Sequence, residues 1–548
     1  MQSLATPPEN TLVKALLTDY YQITMAYAYW RSKKHNSRAS FDLFFRKSPF
    51  QGEFTIFCGL EDSLRFLAHF GFSDEDIQYL KTVMGDTTDP GFFEYLRHVD
   101  ASDVTVHAIP EGSVVFPKVP LIRVEGPLAV VQLIETTLLT LVNFASLVAT
   151  NAARFRLAAG PKARMLEFGL RRAQGPDGGL TASKYCYIGG FDATSNVMAG
   201  KLHDIPIAGT HAHSFVSSFR GMEEIPDRSL AYADKSDTCK DFGQLVKEKL
   251  SQLQSAWIDS PAAVHLETNL DELGAFTAYA IAFPSKFLAL VDTYDTLRSG
   301  VPNFIAVALA LCDLGYAPHG IRLDSGDLAY QSIESRKYIS WTAERFKCEK
   351  LNSALIVASN DINEDTLNSL AQHGHRIDSF GVGTHLVTCQ AQPALGAVYK
   401  IVELDGNPCM KLSADVEKVT IPGKKDGYRL HGRDGAPICD VLLREGEKAP
   451  VVGEAFLCRH PFQEQKRAHV RPQKVTPLYK TYWDKGEAAC ELPTIHELKQ
   501  RVTEQVAELR QDHKRRLNPT PYKVSVSSDL YTYIHELWLQ HAPIGELS

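Results

Sequence analysis

The sequence predicts an α/β protein whose central segment is an irregular α/β barrel. From about residue 151 to residue 398, a strand, a polar turn and an amphipathic helix recur at intervals of roughly 30 to 40 residues, as in βα units. Each predicted strand also ends directly in polar or glycine residues, where α/β barrels build their active sites. An open doubly wound sheet gives a similar rhythm, so the pattern alone leaves both architectures open.

The elements of this segment follow from its apolar runs. The predicted strands are RMLEF (164–168), IPIAGT (205–210), KFLALVD (286–292), HGIRLD (319–324), ALIVAS (354–359) and DSFGVG (378–383). The predicted helices are FIAVALALCDLGY (304–316), SIESRKYISWTAERFK (332–347) and EDTLNSLAQHG (364–374). Turn residues separate the two kinds of element throughout.

The flanking segments have a different character. Residues 1–150 mix an aromatic opening helix with strand-like runs such as FDLFFR and LIRVEGP, which predicts an α+β domain. Residues 399–548 return to mixed strands and turns and then to a charged helix near 494–517, so they form a third region that could fold back on the first. We therefore predict three domains, at 1–150, 151–398 and 399–548.

The composition narrows the function. The 548 residues carry 44% apolar and 22% charged side chains and a net charge of -7, ordinary values for a globular protein that argue against nucleic acid or an anionic membrane as partner. The ten cysteines include no C-x-x-C pair, which fits reduced thiols. No apolar signal core opens the chain, and no apolar run long enough to span a bilayer stands out in the sequence. We expect a cytosolic protein.

The segment 166–215 has the residue composition expected for the floor of an active site. Its many glycines free the backbone for close approach to a ligand, and Arg171 and Arg172 offer guanidinium groups to oxyanions. Farther on, IRLDSGDL combines Arg322 with two carboxylates, Asp324 and Asp327, at a strand end. Such a set can bind a carboxylate or phosphate, ribose hydroxyls, or Mg²⁺ through water. A capped βα turn with a salt bridge is the alternative.

Two later loops predict a phosphate site. In FGVGTHLV, Gly381 and Gly383 precede Thr384 at a strand end, a natural cradle of backbone amides for phosphate. Ser359 ends the preceding predicted strand, so neighbouring strands would bring both loops together. The glycines could instead serve only a tight turn.

The H-A-H pair, His211 and His213, has three interpretations. In a strand, residues i and i+2 point to the same face, which would suit two metal ligands, as in a metal-dependent barrel hydrolase. A structural role is the second. The third is chemistry on one imidazole, which as a nucleophile can take up a phosphoryl group.

Taken in order, these motifs resemble the nicotinate phosphoribosyltransferase family, and the animal form most closely. The resemblance runs from LLTDYYQITMAYAYW through FGLRRAQGPDGGLTAS, GGFDATSN, IAGTHAHSF, IRLDSGDL, SFGVGTHLV and YKIVEL to NPTPYKVSVS. It implies an irregular α/β barrel with flanking domains, like that of type II phosphoribosyltransferases, in a homodimer. It also implies ATP-assisted transfer of phosphoribose from 5-phosphoribosyl 1-pyrophosphate to nicotinate, with Mg²⁺ or Mn²⁺ as cofactor and nicotinate mononucleotide and pyrophosphate as products.

The resemblance also implies roles for single residues. His213, in the family's A-H-S-F motif, would be transiently phosphorylated by ATP, and Asp324 would steady the sugar. Nicotinate would lie between Tyr21, reaching across the dimer, and Phe168, with Arg322 on its carboxylate and Thr210 beside it. The residues implied to hold phosphoribosyl pyrophosphate are Arg171, Asp192, Ser359, Gly381, Gly383 and Thr384. His211 departs from the apolar residue typical of close relatives at that position.

Three other functions remain open at this point. The first is the metal-dependent hydrolase using His211 and His213. The second is a metabolite sensor of the same fold that binds its ligand but catalyses no reaction. The third is an enzyme of the same family that prefers nicotinamide to nicotinate.

Overall fold

The computed structural model of the chain describes residues 4, 6–260, 265–412 and 418–541, so part of the strand-and-turn region predicted after residue 399 lies outside the described residues. The strands are β1 Arg38–Phe45, β2 Thr55–Ile56, β3 Thr105–Ala108, β4 Val114–Val115, β5 Ile122–Pro127, β6 Arg164–Glu167, β7 Ala193–Thr194, β8 Leu230–Ala231, β9 Thr238–Cys239, β10 Leu288–Leu290, β11 Gly320–Leu323, β12 Leu355–Ser359, β13 Ser379–Val382, β14 Ala397–Leu404, β15 Asn407–Pro408, β16 Lys425–His431, β17 Pro437–Arg444, β18 Phe456–Arg459, β19 Arg467–Val470, β20 Lys474–Pro477, β21 Lys480–Asp484, β22 Glu487–Ala488 and β23 Lys523–Val526.

The helices are α1 Tyr20–Arg31, α2 Leu60–Ala68, α3 Asp74–Met84, α4 Pro90–Arg97, α5 Leu128–Leu133, α6 Glu135–Ala159, α7 Gly175–Ile188, α8 Val197–His203, α9 His213–Val216, α10 Phe242–Ala256, α11 Leu270–Ala282, α12 Val301–Asp313, α13 Leu328–Arg345, α14 Glu364–Gln372, α15 Thr384–Val387, α16 Ile495–Glu508, α17 Gln511–Lys514 and α18 Ser528–His541. A π-helical turn, Thr296–Gly300, leads directly into α12.

The chain folds into two compact units. The first combines Met1–Ala153, Lys184–Gly190 and Cys389–Ser548, and the second combines Arg154–Ser183 and Phe191–Thr388. The amino-terminal and carboxyl-terminal segments thus belong to one unit. The division into three domains stays a prediction about domain organisation.

The first unit is built on two large sheets. One has the order β15-β14-β1-β5-β3-β21-β22, in which β1 pairs antiparallel with both β14 and β5. Strands from both ends of the chain therefore share one sheet. The other has the order β19-β18-β23-β17-β16-β20 and is formed by carboxyl-terminal strands alone. Phe41, Leu43 and Phe45 of β1 are buried on one face and Ser40 and Asp42 on the other, in keeping with a strand covered on both faces.

Helix α6 is the one helix of the described residues that is long and apolar enough to cross a membrane by length and composition. In the sequence, Arg154 and Arg156 and several polar residues interrupt its apolar run. In the folded chain 67% of its most apolar 18-residue stretch is buried, as in the core helix of a globular protein.

The second unit contains a six-stranded parallel sheet with the order β10-β11-β12-β13-β6-β7. Five predicted strands are confirmed within one or two residues of their ends: those at 164–168, 286–292, 319–324, 354–359 and 378–383. The helices predicted from 304, 332 and 364 are confirmed as α12, α13 and α14. Because all strands run parallel, their carboxyl ends lie at one edge of the sheet.

The strand predicted at 205–210 is wrong. Only Ile207 makes a bridge there, parallel to Thr194 of β7. Pro206 has no backbone N–H to donate to a neighbouring strand, which explains why the segment does not continue as a regular ladder. The H-A-H pair that follows is therefore not on a strand, and its two imidazoles do not share a strand face.

Candidate active site

A cavity of about 1070 Å³ follows the strands of the parallel sheet along their length. Alternate residues of a strand point to the same face, and Leu166 and Phe168, like Ser379 and Gly381, line the cavity in this alternation. The predicted site residues that line it are Phe168, Arg171, Thr210, Arg322, Asp324, Ser359, Gly381, Gly383 and Thr384. The structure thus brings together most of the predicted site.

Arg322 places a mostly buried guanidinium group in this cavity. It is the third residue of β11, and its Nη1 donates a hydrogen bond to Oγ1 of Thr210 at 3.3 Å. Its Nε is buried and has no hydrogen-bond partner in the described chain. Burial lowers the pKa of this arginine, although Asp324 and Asp292 partly offset the effect. Burying a cationic donor without a hydrogen-bond partner costs free energy, so the site favours an anionic ligand that can accept this hydrogen bond.

His213 stands beside two carboxylates. It is the first residue of the short helix α9, and its Nδ1 is 3.1 Å from Oγ1 of Thr293. Its Nε2 is 3.5 Å from Oδ2 of Asp324 and 3.9 Å from Oδ1 of Asp292. The imidazole side chain is 45% exposed, so a reactant can reach the ring while Thr293 engages its Nδ1.

The two carboxylates are themselves fixed by strand-end groups. Ser359 donates to Oδ1 of Asp324 at 2.5 Å, joining the ends of β12 and β11. Oδ2 of Asp292 accepts from the backbone N–H of Asp324 at 3.2 Å and from the hydroxyl of Ser325 at 2.5 Å. Three neighbouring strand ends are therefore linked by short polar contacts, which holds the charges in place before any substrate binds.

Asp292 was not among the predicted site residues. Its side chain is 2% exposed, and its Oδ1 has no hydrogen-bond partner among the described atoms. The sequence carried a signal for it, because the predicted strand KFLALVD ends on this aspartate. The parallel pairing of β10 with β11 brings it next to Asp324, and that pairing cannot be derived from the local pattern.

His211 has a structural environment. Its Nε2 accepts a hydrogen bond from the backbone N–H of Leu290 at 3.3 Å, and its ring packs edge-on against Tyr279 and beside Phe215. Burial lowers its pKa to about 4, so the ring is neutral at physiological pH. Because Nε2 is already engaged by Leu290, the geometry does not favour the hydrolase in which His211 and His213 bind a metal.

Phe168 depends on a glycine for its position. A Cβ atom on Gly381 would lie 2.4 Å from the ring of Phe168, so only glycine lets this ring cover the end of β13. Gly383 and Thr384 follow at the beginning of α15 and line the same cavity. The ring and the predicted phosphate loop therefore occupy adjacent positions.

The remaining predicted residues have different placements. Arg171 lies in an exposed 3-10 turn, close enough to Arg322 to lower the pKa of that arginine. Asp192 lies before β7, where its Oδ2 accepts from the backbone N–H of Met165 at 2.8 Å and pairs with Arg156. Tyr21 belongs to α1 of the first unit and is 47% exposed. The contacts of these three residues with substrates stay predictions.

The described residues contain no group of three or more histidine, cysteine, aspartate or glutamate side chains that could hold a metal ion. A Mg²⁺ ion carried by a phosphorylated substrate needs only one or two carboxylates from the protein. Asp324 and the exposed Asp361 both line the cavity and can supply them. The donor set fits such an ion, and it does not fit a metal site made of protein side chains alone.

By its structural neighbours, the chain falls in the class of type II phosphoribosyltransferase-like α/β proteins. The crystal structure of human nicotinic acid phosphoribosyltransferase superposes with a TM-score of 0.85 at 47% identity, covering 95% of this chain and 100% of that one. The nicotinate-nucleotide pyrophosphorylase from Pyrococcus furiosus shares the fold, with a TM-score of 0.58 at 20% identity over 93% and 99% of the two chains.

Sequence comparison identifies the family within that class. The family models of the nicotinate phosphoribosyltransferase N-terminal and C-terminal domains match residues 16–143 and 424–534. Nicotinate phosphoribosyltransferase 2 of Arabidopsis thaliana is 56% identical over 100% of this chain and 98% of its own length. The human nicotinate phosphoribosyltransferase is 48% identical over 98% and 99%. The chain belongs to the nicotinate phosphoribosyltransferase family, which confirms the resemblance stated from the sequence.

Proposed function

We propose that this protein transfers the 5-phosphoribosyl group from 5-phosphoribosyl 1-pyrophosphate to nicotinate, giving nicotinate mononucleotide and pyrophosphate for NAD biosynthesis. The observation that carries the proposal is the guanidinium group of Arg322, which is mostly buried in the cavity and has an unpartnered Nε. A planar guanidinium fork binds a carboxylate in two contacts, so it favours nicotinate over the uncharged amide.

The reaction needs charge stabilisation at two places, on the sugar and on the phosphates. The ring nitrogen of nicotinate forms a bond to C1 of the ribose while the bond from C1 to the pyrophosphate oxygen breaks, and its electron pair leaves with pyrophosphate. The sugar is cationic in between, and the fixed carboxylate of Asp324 stabilises it. Ser359, Gly381, Gly383 and Thr384 line the cavity near the strand ends, where backbone and hydroxyl donors receive the phosphates.

His213 is the proposed acceptor of a phosphoryl group from ATP. Its side chain is partly exposed, and Thr293 engages Nδ1, so Nε2 is the nitrogen that would accept the phosphoryl group. Asp292 and Asp324 stabilise the positive charge that the imidazole carries when it bonds to phosphorus. Transfer of that phosphoryl group to water would couple ATP hydrolysis to synthesis.

Mg²⁺ or Mn²⁺ is the proposed cofactor. When bound, it neutralises charge on the pyrophosphate oxygens. Asp324 and Asp361 are the residues that would hold it. Two protein carboxylates would suffice for a cation whose remaining ligands are substrate phosphates and water.

We also infer that the parallel sheet closes into an irregular barrel. The segment after β7 supports this inference: Ile207 bridges to Thr194 of β7, and His211 accepts from Leu290 of β10, so 207–211 runs from one edge strand to the other. We also propose that the protein is a homodimer in the cytosol. Tyr21 of one subunit would stack on nicotinate bound in the other.

A product assay tests the function directly. The protein is incubated with phosphoribosyl pyrophosphate, Mg²⁺ and either nicotinate or nicotinamide, with ATP present or omitted, and the nucleotides are separated by chromatography. We expect nicotinate mononucleotide and pyrophosphate in equal amounts, formed faster with ATP. Binding of nicotinate without any product would support the metabolite sensor instead, and preferential formation of nicotinamide mononucleotide would overturn the assignment of Arg322.

A further inference from the structure

The cavity also reaches the opposite edge of the parallel sheet. Arg164, the first residue of β6, lines it, as do Lys286 before β10 and His319 immediately before β11. Arg164 and Phe168 are four residues apart on an extended chain, a distance of about 13 Å. All three basic residues are exposed, so the cavity meets solvent at this amino-terminal edge as well. We call Arg164, Lys286 and His319 the basic rim.

The basic rim has no acidic partner in the described part of the chain. The two carboxylates that precede strands at this edge are already engaged: Asp378 pairs with Arg336 at 2.8 Å, and Asp192 pairs with Arg156. All three rim residues line the same cavity, and partial desolvation together with the charges of Arg164 and Lys286 lowers the pKa of His319, so Arg164 and Lys286 supply the positive charge of the rim. Their positive potential therefore faces the cavity without a counter-charge, which attracts anions from solution.

The passage between the two edges is apolar. Leu166, Leu288, Leu355 and Val357 line it. A polyphosphate would have to lose the hydration of several charges against such walls, whereas an aromatic monocarboxylate would lose that of only one. An aromatic monocarboxylate suits both features, since its charge is drawn to the rim and its ring can pass the leucines.

We propose that the basic rim is a second entrance to the active site, through which nicotinate enters from the side opposite to phosphoribosyl pyrophosphate. The proposal rests on the proposed function. Phosphoribosyl pyrophosphate, with its several charges, occupies the strand-end loops and closes that side of the cavity. Nicotinate arriving through the rim reaches Arg322 with the second substrate already in place, and its carboxylate passes from one group of cations to another.

The rim can be tested by removing its charge. The double variant Arg164→Gln/Lys286→Gln is compared with the control Lys162→Gln/Lys235→Gln, which removes the same charge from two exposed lysines that do not line the cavity. At low ionic strength we expect kcat/KM for nicotinate to fall about tenfold in the rim variant, the lower end of electrostatic steering effects. Values of kcat and of KM for phosphoribosyl pyrophosphate stay within about twofold of wild type, and the control behaves as wild type.

Salt and a neutral ligand separate steering from a structural defect. The loss should shrink toward wild type in about 1 M NaCl, where the Debye length is only about 3 Å. Inhibition by uncharged nicotinamide should be unaffected by the rim variant. A second variant, Leu355→Trp, narrows the apolar passage and should slow nicotinate capture at every salt concentration while leaving the affinity for phosphoribosyl pyrophosphate unchanged.

The proposal is overturned if the rim variant has wild-type kcat/KM for nicotinate at low salt, if the control loses as much, or if both substrates are affected equally. If the wild type forms no nicotinate mononucleotide, the proposed function fails by itself. Stopped-flow measurement of nicotinate association with wild type and rim variant then decides on the entrance, and equal association rate constants at low salt would refute it.

Discussion

Nε2 of His213 lies 3.5 Å from a carboxylate oxygen of Asp324, the residue whose other oxygen accepts a hydrogen bond from Ser359. The imidazole proposed to carry phosphate and the carboxylate proposed to steady the sugar are thus in direct electrostatic contact. Phosphorylation of His213 would change the charge next to Asp324, and this offers a route by which ATP can influence sugar transfer without attacking the sugar itself.

Replacing His213 by alanine should abolish the ATP stimulation while leaving slower, ATP-independent synthesis. The reason is that the imidazole would carry phosphate and would not form a bond to the sugar. The measurement is product formation with and without ATP, together with ³²P incorporation from γ-labelled ATP. His211→Phe is the control, because it fills the same space between Phe215 and Tyr279. Equal labelling of the His213→Ala protein would show that another residue is phosphorylated.

Asp292→Asn should reduce the ATP-stimulated rate about tenfold or more, the effect of losing a charged contact worth roughly 1.5 kcal/mol. Asparagine keeps the size of the side chain and the acceptor for Ser325, but it removes the charge facing His213. Asp295→Asn is the matched control, since Asp295 caps the turn that begins at Thr296 and asparagine caps as well. Wild-type ATP stimulation in Asp292→Asn would mean that Asp324 alone supports the imidazole.

Arg322→Lys should weaken nicotinate binding far more than phosphoribosyl pyrophosphate binding. Lysine keeps the positive charge but loses the planar fork, and a charged bidentate contact is worth roughly 1.5 to 3 kcal/mol, or about one to two decades in binding. Initial-rate kinetics with each substrate varied give the two KM values. Similar losses for both substrates would place Arg322 on a phosphate and not on the nicotinate carboxylate.

These residues also show what could be derived from the sequence. Arg322, Asp324, Ser359 and Gly381 could be predicted to line one cavity because a strand and its terminal polar residues are local in the chain, and a parallel sheet collects such ends at one edge. Asp292 was not predicted as a site residue because its neighbours in the site come from strands that are distant in the sequence. The strand predicted through Pro206 was wrong because the prediction followed the apolar pattern and gave too little weight to the backbone N–H that proline lacks. The basic rim was not predicted because it lies where strands begin, and a barrel pattern predicts functional residues only where strands end.

Glu272 should make stability depend on pH. Burial raises the pKa of this carboxyl to about 7, although Ser299 and Asn303 both donate to it. Between about pH 4.5 and pH 7 the unfolded chain loses this proton while the folded chain keeps it, so the contribution of Glu272 to stability falls as pH rises. The shift corresponds to at most about 3 kcal/mol.

Urea unfolding at pH 5 and pH 8 measures this contribution. In Glu272→Gln the fall in unfolding free energy between the two pH values should be smaller than in wild type by about 2 to 3 kcal/mol. Comparing each protein with itself at two pH values cancels any constant cost of burying the amide. The same pH dependence in variant and wild type would show that Glu272 is ionised in the folded state near pH 5.

Tyr21 provides the test of subunit architecture. If it stacks on nicotinate in the partner subunit, a heterodimer of a Tyr21→Ala chain and a His213→Ala chain contains one site with both defects and one site with neither. Its ATP-stimulated activity should then exceed that of either mutant homodimer, approaching half of the wild-type value. Two affinity tags allow the heterodimer to be purified and its composition verified before the assay. If Tyr21 serves the cavity of its own chain, every site carries one defect and activity does not recover, which would refute the shared site while leaving the stacking role of Tyr21 within its own subunit.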